Sequence, residues 1–327
     1  MPELSIVIPV YNTPQDSLLR CCNSVAAMNP QITYEVLLVD DGSGPEIEAF
    51  CTEYLRSHPS FRYIRQENGG ASAARNTGIS HAQGTYLTFL DADDTLLPAC
   101  IQPELLRADW DLVLFDMQLN QSGSDALWST LDQPSGTVED LTVPLICTKN
   151  LNSPCAKLFR RSIISEHQLR FDTDFVTGED WNFVCDYSGH CHTVYYCAEP
   201  VYRYYRDGST STGRLARHPD TMICNYLSMY ARKLHMGQSR EDAPRLDAIA
   251  AADLVETLFN TAADLLLLKK LTPERKHTIR DAVSQASQAF TPETPRKTRI
   301  KAAVIGKHFY LVRPLAHLRN LYLKHKH

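Results

Sequence analysis

What most constrains this chain is an alternation at its amino-terminal end: short apolar runs of strand length, each released into a polar turn and then into a stretch with helical spacing. Leu4 to Val10 reads as a buried strand ending at Pro9 and Tyr11-Asn12, and about Pro14 to Met28 reads as a helix with Leu18, Leu19, Cys22, Val25 and Ala26 on one side. Tyr34 to Val39 is the second strand, broken by Asp40-Asp41-Gly42-Ser43-Gly44, and a helix over about Glu46 to Ser57 leads to the short strand Phe61 to Arg65. Asn68-Gly69-Gly70 turns the chain into the alanine-rich helix Ala71 to Ser80, and Thr85 to Leu90 is the fourth strand. Near-continuous apolar strands separated by helices predict parallel pairing through right-handed crossovers, hence an open α/β sheet.

Such sheets bind small molecules at the carboxyl ends of their strands. Here those ends are polar: Tyr11-Asn12, Asp40-Asp41 and Asp91-Ala92-Asp93-Asp94. Two unit charges ~4 Å apart cost roughly 4 kcal/mol at an effective dielectric of ~20, so clustered carboxylates share a proton, spread apart or hold a metal. A solvated turn accounts for any one of these ends, but it has to be invoked three times on the edge where ligands sit. No glycine fingerprint follows the first strand, and no glycine-rich loop ends in lysine and serine or threonine, which argues against the commonest nucleotide folds. Carboxylates are poor partners for phosphate but good ones for Mg²⁺ or Mn²⁺, whose opposite face holds diphosphate oxygens and stabilises them as they depart. From the residues alone, a sugar-nucleotide transferase, a nucleotidyl transferase and a metal-dependent phosphohydrolase remain open.

With 327 residues, 43% of them apolar, the chain can bury a full core and carry an extension. A formal charge of -5 offers no global attraction to nucleic acid. Beyond Glu293 every charged side chain is basic: Arg296, Lys297, Arg299, Lys301, Lys307, Arg313, Arg319, Lys324 and Lys326. The ten cysteines do not form a disulfide scaffold, and Cys185, Cys191 and Cys197 lack the paired knuckle of a zinc site, so they read as structural thiols in a reducing compartment. The expected chain has no secretory leader and no bilayer-spanning segment.

Five segments, in order, carry a resemblance: Ser5-Ile6-Val7-Ile8-Pro9-Val10-Tyr11-Asn12, Val39-Asp40-Asp41-Gly42-Ser43, Asn68-Gly69-Gly70 with Ala74-Arg75-Asn76-Thr77-Gly78, Leu90-Asp91-Ala92-Asp93-Asp94, and Thr177-Gly178-Glu179-Asp180-Trp181-Asn182-Phe183. From about residue 4 to 215 the chain resembles family 2 glycosyltransferases of the GT-A fold, the group that builds bacterial capsules, lipopolysaccharides and related surface glycans. The resemblance implies an α/β fold with a central mixed, mainly parallel sheet flanked by helices and a C-terminal helical extension. The expected organisation is a catalytic domain over 1–220, a helical extension over 221–295 and a basic amphipathic tail over 296–327.

The same resemblance implies Pro9 and Tyr11 at the nucleotide floor, Asp41 at the uracil of UDP, Asp91 near the ribose, and Asp93 as the principal contact to Mn²⁺ or Mg²⁺. Asp94 either completes that network or caps it. Asn68, Gly69 and Gly70 form either a loop that lets the donor approach closely or a plain turn. Arg75 lies near the donor and Asn76 organises the metal loop, or both pack on the sheet rim. Lys157 orients donor or acceptor, or is an exposed structural lysine. The segment from Tyr202 to Ser211 resembles the part that closes over the donor, with Arg206 facing diphosphate and Ser209 and Ser211 fixing the loop.

Asp180 is the implied catalytic base, since an acceptor hydroxyl loses a proton as it attacks the anomeric carbon. Without the resemblance, Glu179-Asp180 reads as charge at a helix start. The expected activity is inverting transfer of a sugar from a UDP-sugar to the hydroxyl of a glycan or lipid-linked oligosaccharide in bacterial surface polysaccharide synthesis. A nucleotidyl transferase acting on a sugar phosphate, or a noncatalytic glycan-binding protein, is the alternative. Residues 121 to 143 form a variable connection, an acceptor rim or a tolerated loop. After Tyr226, Leu246, Ile249, Ala250, Leu254, Leu258 and Ala262 recur at helical spacing, which leaves a cap, a homodimer surface and an acceptor site open. The apolar and basic residues from Ala302 onward either lie on an anionic membrane, placing the protein on the inner face of the bacterial cytoplasmic membrane, or pack within the chain.

Overall fold

The computed structural model describes residues 1–121, 124–131, 133–147, 149–205, 212–312 and 314. They divide into two compact units, one within Met1–Asp174 and Glu179–Gly208, the other within Phe175–Gly178 and Ser209–His327.

In the first unit ten strands make one sheet: β1 (Leu4–Val10), β2 (Tyr34–Asp40), β3 (Phe61–Arg65), β4 (Tyr86–Phe89), β5 (Thr95–Leu96), β6 (Leu112–Gln121), β7 (Ser124–Trp128), β8 (Gly136–Thr137), β9 (Lys157–Arg160) and β10 (Val194–Tyr205). Their order is β3-β2-β1-β4-β9-β6-β10-β5, with β7 beside β6 and β8 beside β10. The first four are parallel, as their apolar runs predict, because both faces of β1, β2 and β4 are covered. β9 then runs antiparallel to both β4 and β6, and β10 returns parallel to β6, so the sheet is mixed. The helices are α1 (Gln15–Ala26), α2 (Pro45–Leu55), α3 (Ala71–His81), α4 (Pro103–Arg107), α5 (Thr142–Cys147), α6 (Arg161–Glu166) and α7 (Glu179–Ser188).

Helix α3 lies against the sheet because its residues are small. A Cβ at Gly78 would stand 2.2 Å from Val7 Cγ1, so only glycine permits this approach. From β1 the chain winds outward through β2 and β3, then crosses to place β4 on the other side of β1. That reversal of strand order falls between β1 and β4, and open α/β sheets bind ligands beyond the carboxyl ends of the strands at such a point.

The second unit holds α8 (Thr212–Arg217), α9 (Pro219–Gly237), α10 (Ala243–Leu267), α11 (Pro273–Ala286) and α12 (Arg296–Lys307). Leu254, Leu258 and Ala262 of α10 pack in one core with Ile279 and Val283 of α11. Ala302, Val304 and Ile305 of α12, followed by Phe309 and Val312, belong to the same core. Ala302, Val304, Ile305, Phe309 and Val312 are thus buried within the chain, whereas Tyr310 and Leu311 stay exposed, and Lys301 pairs with Glu256 of α10. The rest of the basic tail, apart from Pro314, lies outside the described residues. Among the described residues no helix is long and apolar enough to cross a membrane.

Candidate active site

Arg75 links the end of β4 to the start of α7. It projects from α3 with its guanidinium buried, Nη2 donating to Asp91 Oδ1 at 2.9 Å and Nη1 donating to Asp180 Oδ1 at 2.8 Å. Asp91 follows β4 and Asp180 lies in the first turn of α7, so one cation joins carboxylates 89 positions apart in the sequence. Exposure separates their roles: the arginine side chain is 6% exposed, the aspartates 37% and 31%. Burial works against the charge on Arg75, but Asp180 and Asp91 outweigh it and hold the guanidinium protonated far above any working pH. The Phe171 ring lies 5.4 Å from the guanidinium carbon and stacks on Phe183.

Asn76 is tied to Phe171. Its amide donates to Phe171 O and accepts from Phe171 N–H, both at 2.8 Å, clamping the strip that carries the ring beneath Arg75. Asp180 enters its helix through Gly178, whose φ of +87° suits glycine.

The loop after β4 is held from two sides. Arg20 of α1 donates to Asp93 O at 2.7 Å and its guanidinium lies 4.1 Å from the Tyr205 ring centre, while the Cys21 thiol donates to Asp91 O at 3.6 Å. From β10, the buried Tyr202 hydroxyl donates to Asp94 Oδ2 at 2.5 Å and accepts from Asp91 N–H at 3.3 Å. Tyr205 N–H donates to Asp94 Oδ1 at 2.8 Å. Asp94 is fully buried among these bonds, and burial with Asp91 beside it pushes its carboxyl up to about 8. Asp93 by contrast is exposed.

Asp41 is buried and organises the glycine turn. Oδ1 accepts from Gly69 N–H and Gln66 Nε2, and Oδ2 from Gly70 N–H, each at 2.8 Å. Asn68 Nδ2 donates to Asp41 O at 2.9 Å. A carboxylate offers about four lone-pair positions, so three donors leave room for one more. Gly70 carries φ +87° at the entry to α3, so the turn needs glycine there. Pro9 is paired in β1 opposite Val39, and Tyr11 beyond it is 56% exposed.

Lys157 is not an exposed lysine. It is 2% exposed at the start of β9, its ammonium donating to Ser153 O at 2.5 Å and Cys155 O at 3.3 Å. Burial lowers its pKa to about 8, partly opposed by Cys155 and Asp180. Cys155 bridges to Phe89 at the end of β4, so this turn stands directly behind the Asp91 loop. Arg206, Ser209 and Ser211 lie outside the described residues. Sequence reasoning missed Arg20 as a brace. It placed Tyr202 in the closing segment without seeing that its hydroxyl carries the loop after β4.

Among the described residues no three His, Cys, Asp or Glu side chains stand close enough to hold a metal ion. What exists is one exposed carboxylate, Asp93, beside a half-exposed one, Asp91. Mg²⁺ keeps several waters and binds through one or two carboxylates plus substrate phosphates. These residues therefore fit a cation that shares its coordination with a diphosphate and do not form a closed protein cage.

The chain is similar to known proteins in sequence and in fold. The chain is 26% identical over 338 residues to the succinoglycan biosynthesis protein ExoO of Rhizobium meliloti, covering 93% of each. It is 29% identical over 215 residues to EpsH of Bacillus subtilis, covering 62% of this chain but only 60% of EpsH. The S. aureus TarS 1-349 structure in complex with UDP superposes with a TM-score of 0.63 at 17% identity, covering 95% of this chain and 90% of that one, which shows a shared fold. The profile of glycosyl transferase family 2 matches residues 5–168, half of the chain, and the protein belongs to that family.

Proposed function

We propose that the protein transfers a sugar from a UDP-sugar to a hydroxyl of a glycan or lipid-linked oligosaccharide, inverting the anomeric centre, and that residues 1–220 carry the chemistry. The observation that carries this reading is Arg75, which ties Asp91 at the strand end to Asp180 on α7. A donor at the β4 end and an acceptor deprotonated by Asp180 then share one rigid mount. The fold shared with TarS, whose structures hold UDP or UDP-GlcNAc, supports a uridine nucleotide as the leaving group.

Each residue has a separate task. The exposed Tyr11 ring gives the uracil a flat surface, and the remaining lone pair of Asp41 accepts the base N–H, with Pro9 beneath. Asp41 also presents the Asn68-Gly69-Gly70 turn, where the absence of a side chain lets the donor come close. Asp91 faces the ribose. A divalent cation held by Asp93 would neutralise the diphosphate and stabilise UDP as it departs. Asp180 takes the proton of the acceptor hydroxyl while Arg75 fixes the orientation of its carboxylate, a contribution of about 10²–10⁴ in rate for a placed general base. Attack from the face opposite UDP forms the new glycosidic bond as the old C–O bond breaks, which inverts the centre.

The test is a panel of UDP-sugars with Mn²⁺ or Mg²⁺, following UDP release, product mass and the anomeric configuration by proton NMR. Inverted product supports the reading and retained configuration rejects it. Release of inorganic diphosphate from a nucleoside triphosphate and a sugar phosphate would instead identify a nucleotidyl transferase.

A further inference from the structure

We propose that Trp128 is the platform on which the acceptor's sugar ring stacks, an inference that rests on the glycosyl-transfer reading above. Three adjacent strands place it. Tyr202 of β10 pairs with Met117 of β6, and Met117 pairs with Trp128 of β7, so the three side chains form one row on one face of the sheet. At one end of the row the Tyr202 hydroxyl bonds Asp94 and Asp91 N–H. At the other end, two strand spacings or ~10 Å away, Trp128 is 40% exposed, while Met117 and Tyr202 are 3% and 1% exposed.

The indole is also on a rigid support. Immediately after β7, Asp116 Oδ1 accepts from Thr130 N–H at 2.6 Å and from the Tyr196 hydroxyl at 2.7 Å. Thr130 Oγ1 donates to Phe115 O at 2.6 Å. The strand bearing Trp128 is thus pinned by a buried carboxylate, and a rigid aromatic loses little conformational freedom when a ligand settles on it.

Position and chemistry together select the occupant. Tyr11, Asp41 and Asp93 follow β1, β2 and β4, whereas Trp128 lies on the far side of β4 from β1 and β2, in β7, which continues the edge of β6 that β9 occupies, opposite β10. The donor's nucleotide therefore belongs to one flank and the acceptor to the other. A broad apolar ring carrying one N–H donor suits the C–H face of a pyranose with a hydroxyl at its edge and makes no demand for charge. Leu127, paired with Gln118, points to the opposite face and is 63% exposed, which makes it an internal control.

The experiment uses the full chain with UDP and Mn²⁺, and methyl glycosides of glucose, galactose and N-acetylglucosamine as probes. Indole N–H NMR, with the Trp128 signal identified by its loss in Trp128→Phe, is followed on titration of each glycoside, and acceptor kinetics are measured on any glycoside used. At least one glycoside is expected to shift the Trp128 signal. Trp128→Ala is expected to raise the acceptor KM about tenfold, with Trp128→Phe restoring most of it, Leu127→Ala matching wild type, and UDP release into water unchanged in all three. No shift with any glycoside, or equal KM changes in Trp128→Ala and Leu127→Ala, overturns the proposal. Absence of UDP release from every UDP-sugar in wild type overturns the transfer reading itself.

Discussion

Replacing Lys157 by methionine removes a buried charge whose cost can be worked out. The ammonium is 2% exposed, and desolvation lowers its pKa from the ordinary 10.5 to about 8, with Cys155 and Asp180 pulling back only part of that. Below pH 8 the lysine is protonated in both the folded and the unfolded chain, so the full penalty of burying it is present. Between about 8 and 10.5 the unfolded chain binds the proton and the folded one does not, so stability rises with pH. A fall of about 2.5 pH units at about 1.4 kcal/mol each gives about 3 kcal/mol gained by wild type across that window. Lys157→Met has no such contribution. Urea unfolding of both proteins from pH 7 to 10.5 is expected to show wild type gaining about 3 kcal/mol relative to the variant. A difference that stays flat with pH would refute the buried ammonium.

Three further outcomes are expected. Gly78→Ala places a methyl against Val7, 2.2 Å from Cγ1, and is expected to cost about 1–3 kcal/mol in chemical unfolding; an unchanged midpoint would contradict the close approach of α3. Tyr202→Phe leaves buried Asp94 without its hydroxyl partner and frees Asp91 N–H. It is expected to lose about 1–3 kcal/mol of stability and to weaken UDP binding in calorimetry, and wild-type affinity would argue against its bracing role. Asp93→Ala is expected to bind UDP equally with and without Mn²⁺, whereas a retained Mn²⁺ effect would place the cation elsewhere.

The parallel half of the sheet was legible because each element reports itself locally. β1 and β3 begin and end where their apolar runs do, Leu4 to Val10 and Phe61 to Arg65, and α3 follows the alanine stretch to within a residue. β4 is one residue shorter at each end than its pattern, Tyr86–Phe89 against Thr85 to Leu90. The antiparallel half was not readable in this way. β9 has four residues and its neighbours in the sheet, β4 and β6, lie far from it in sequence, so no period marks it. At the site, composition and order pointed to Asp91, Asp93 and Asp180, but roles set by distant partners stayed hidden. Asn76 bonds Phe171 across 95 positions and Tyr202 bonds Asp94 across 108. Lys157 looked as ready for solvent as any lysine, since nothing local reveals that Ser153 and Cys155 carbonyls enclose it.

The central claim is that Asp180, mounted on Arg75, removes the acceptor proton while the donor is held elsewhere. The most direct measurement compares Asp180→Asn with wild type: UDP affinity with Mn²⁺ by calorimetry, and turnover on an accepted glycoside. The account predicts unchanged nucleotide affinity and a fall in kcat of about 10²–10⁴. Turnover within a few fold of wild type, at the same nucleotide affinity, would contradict it.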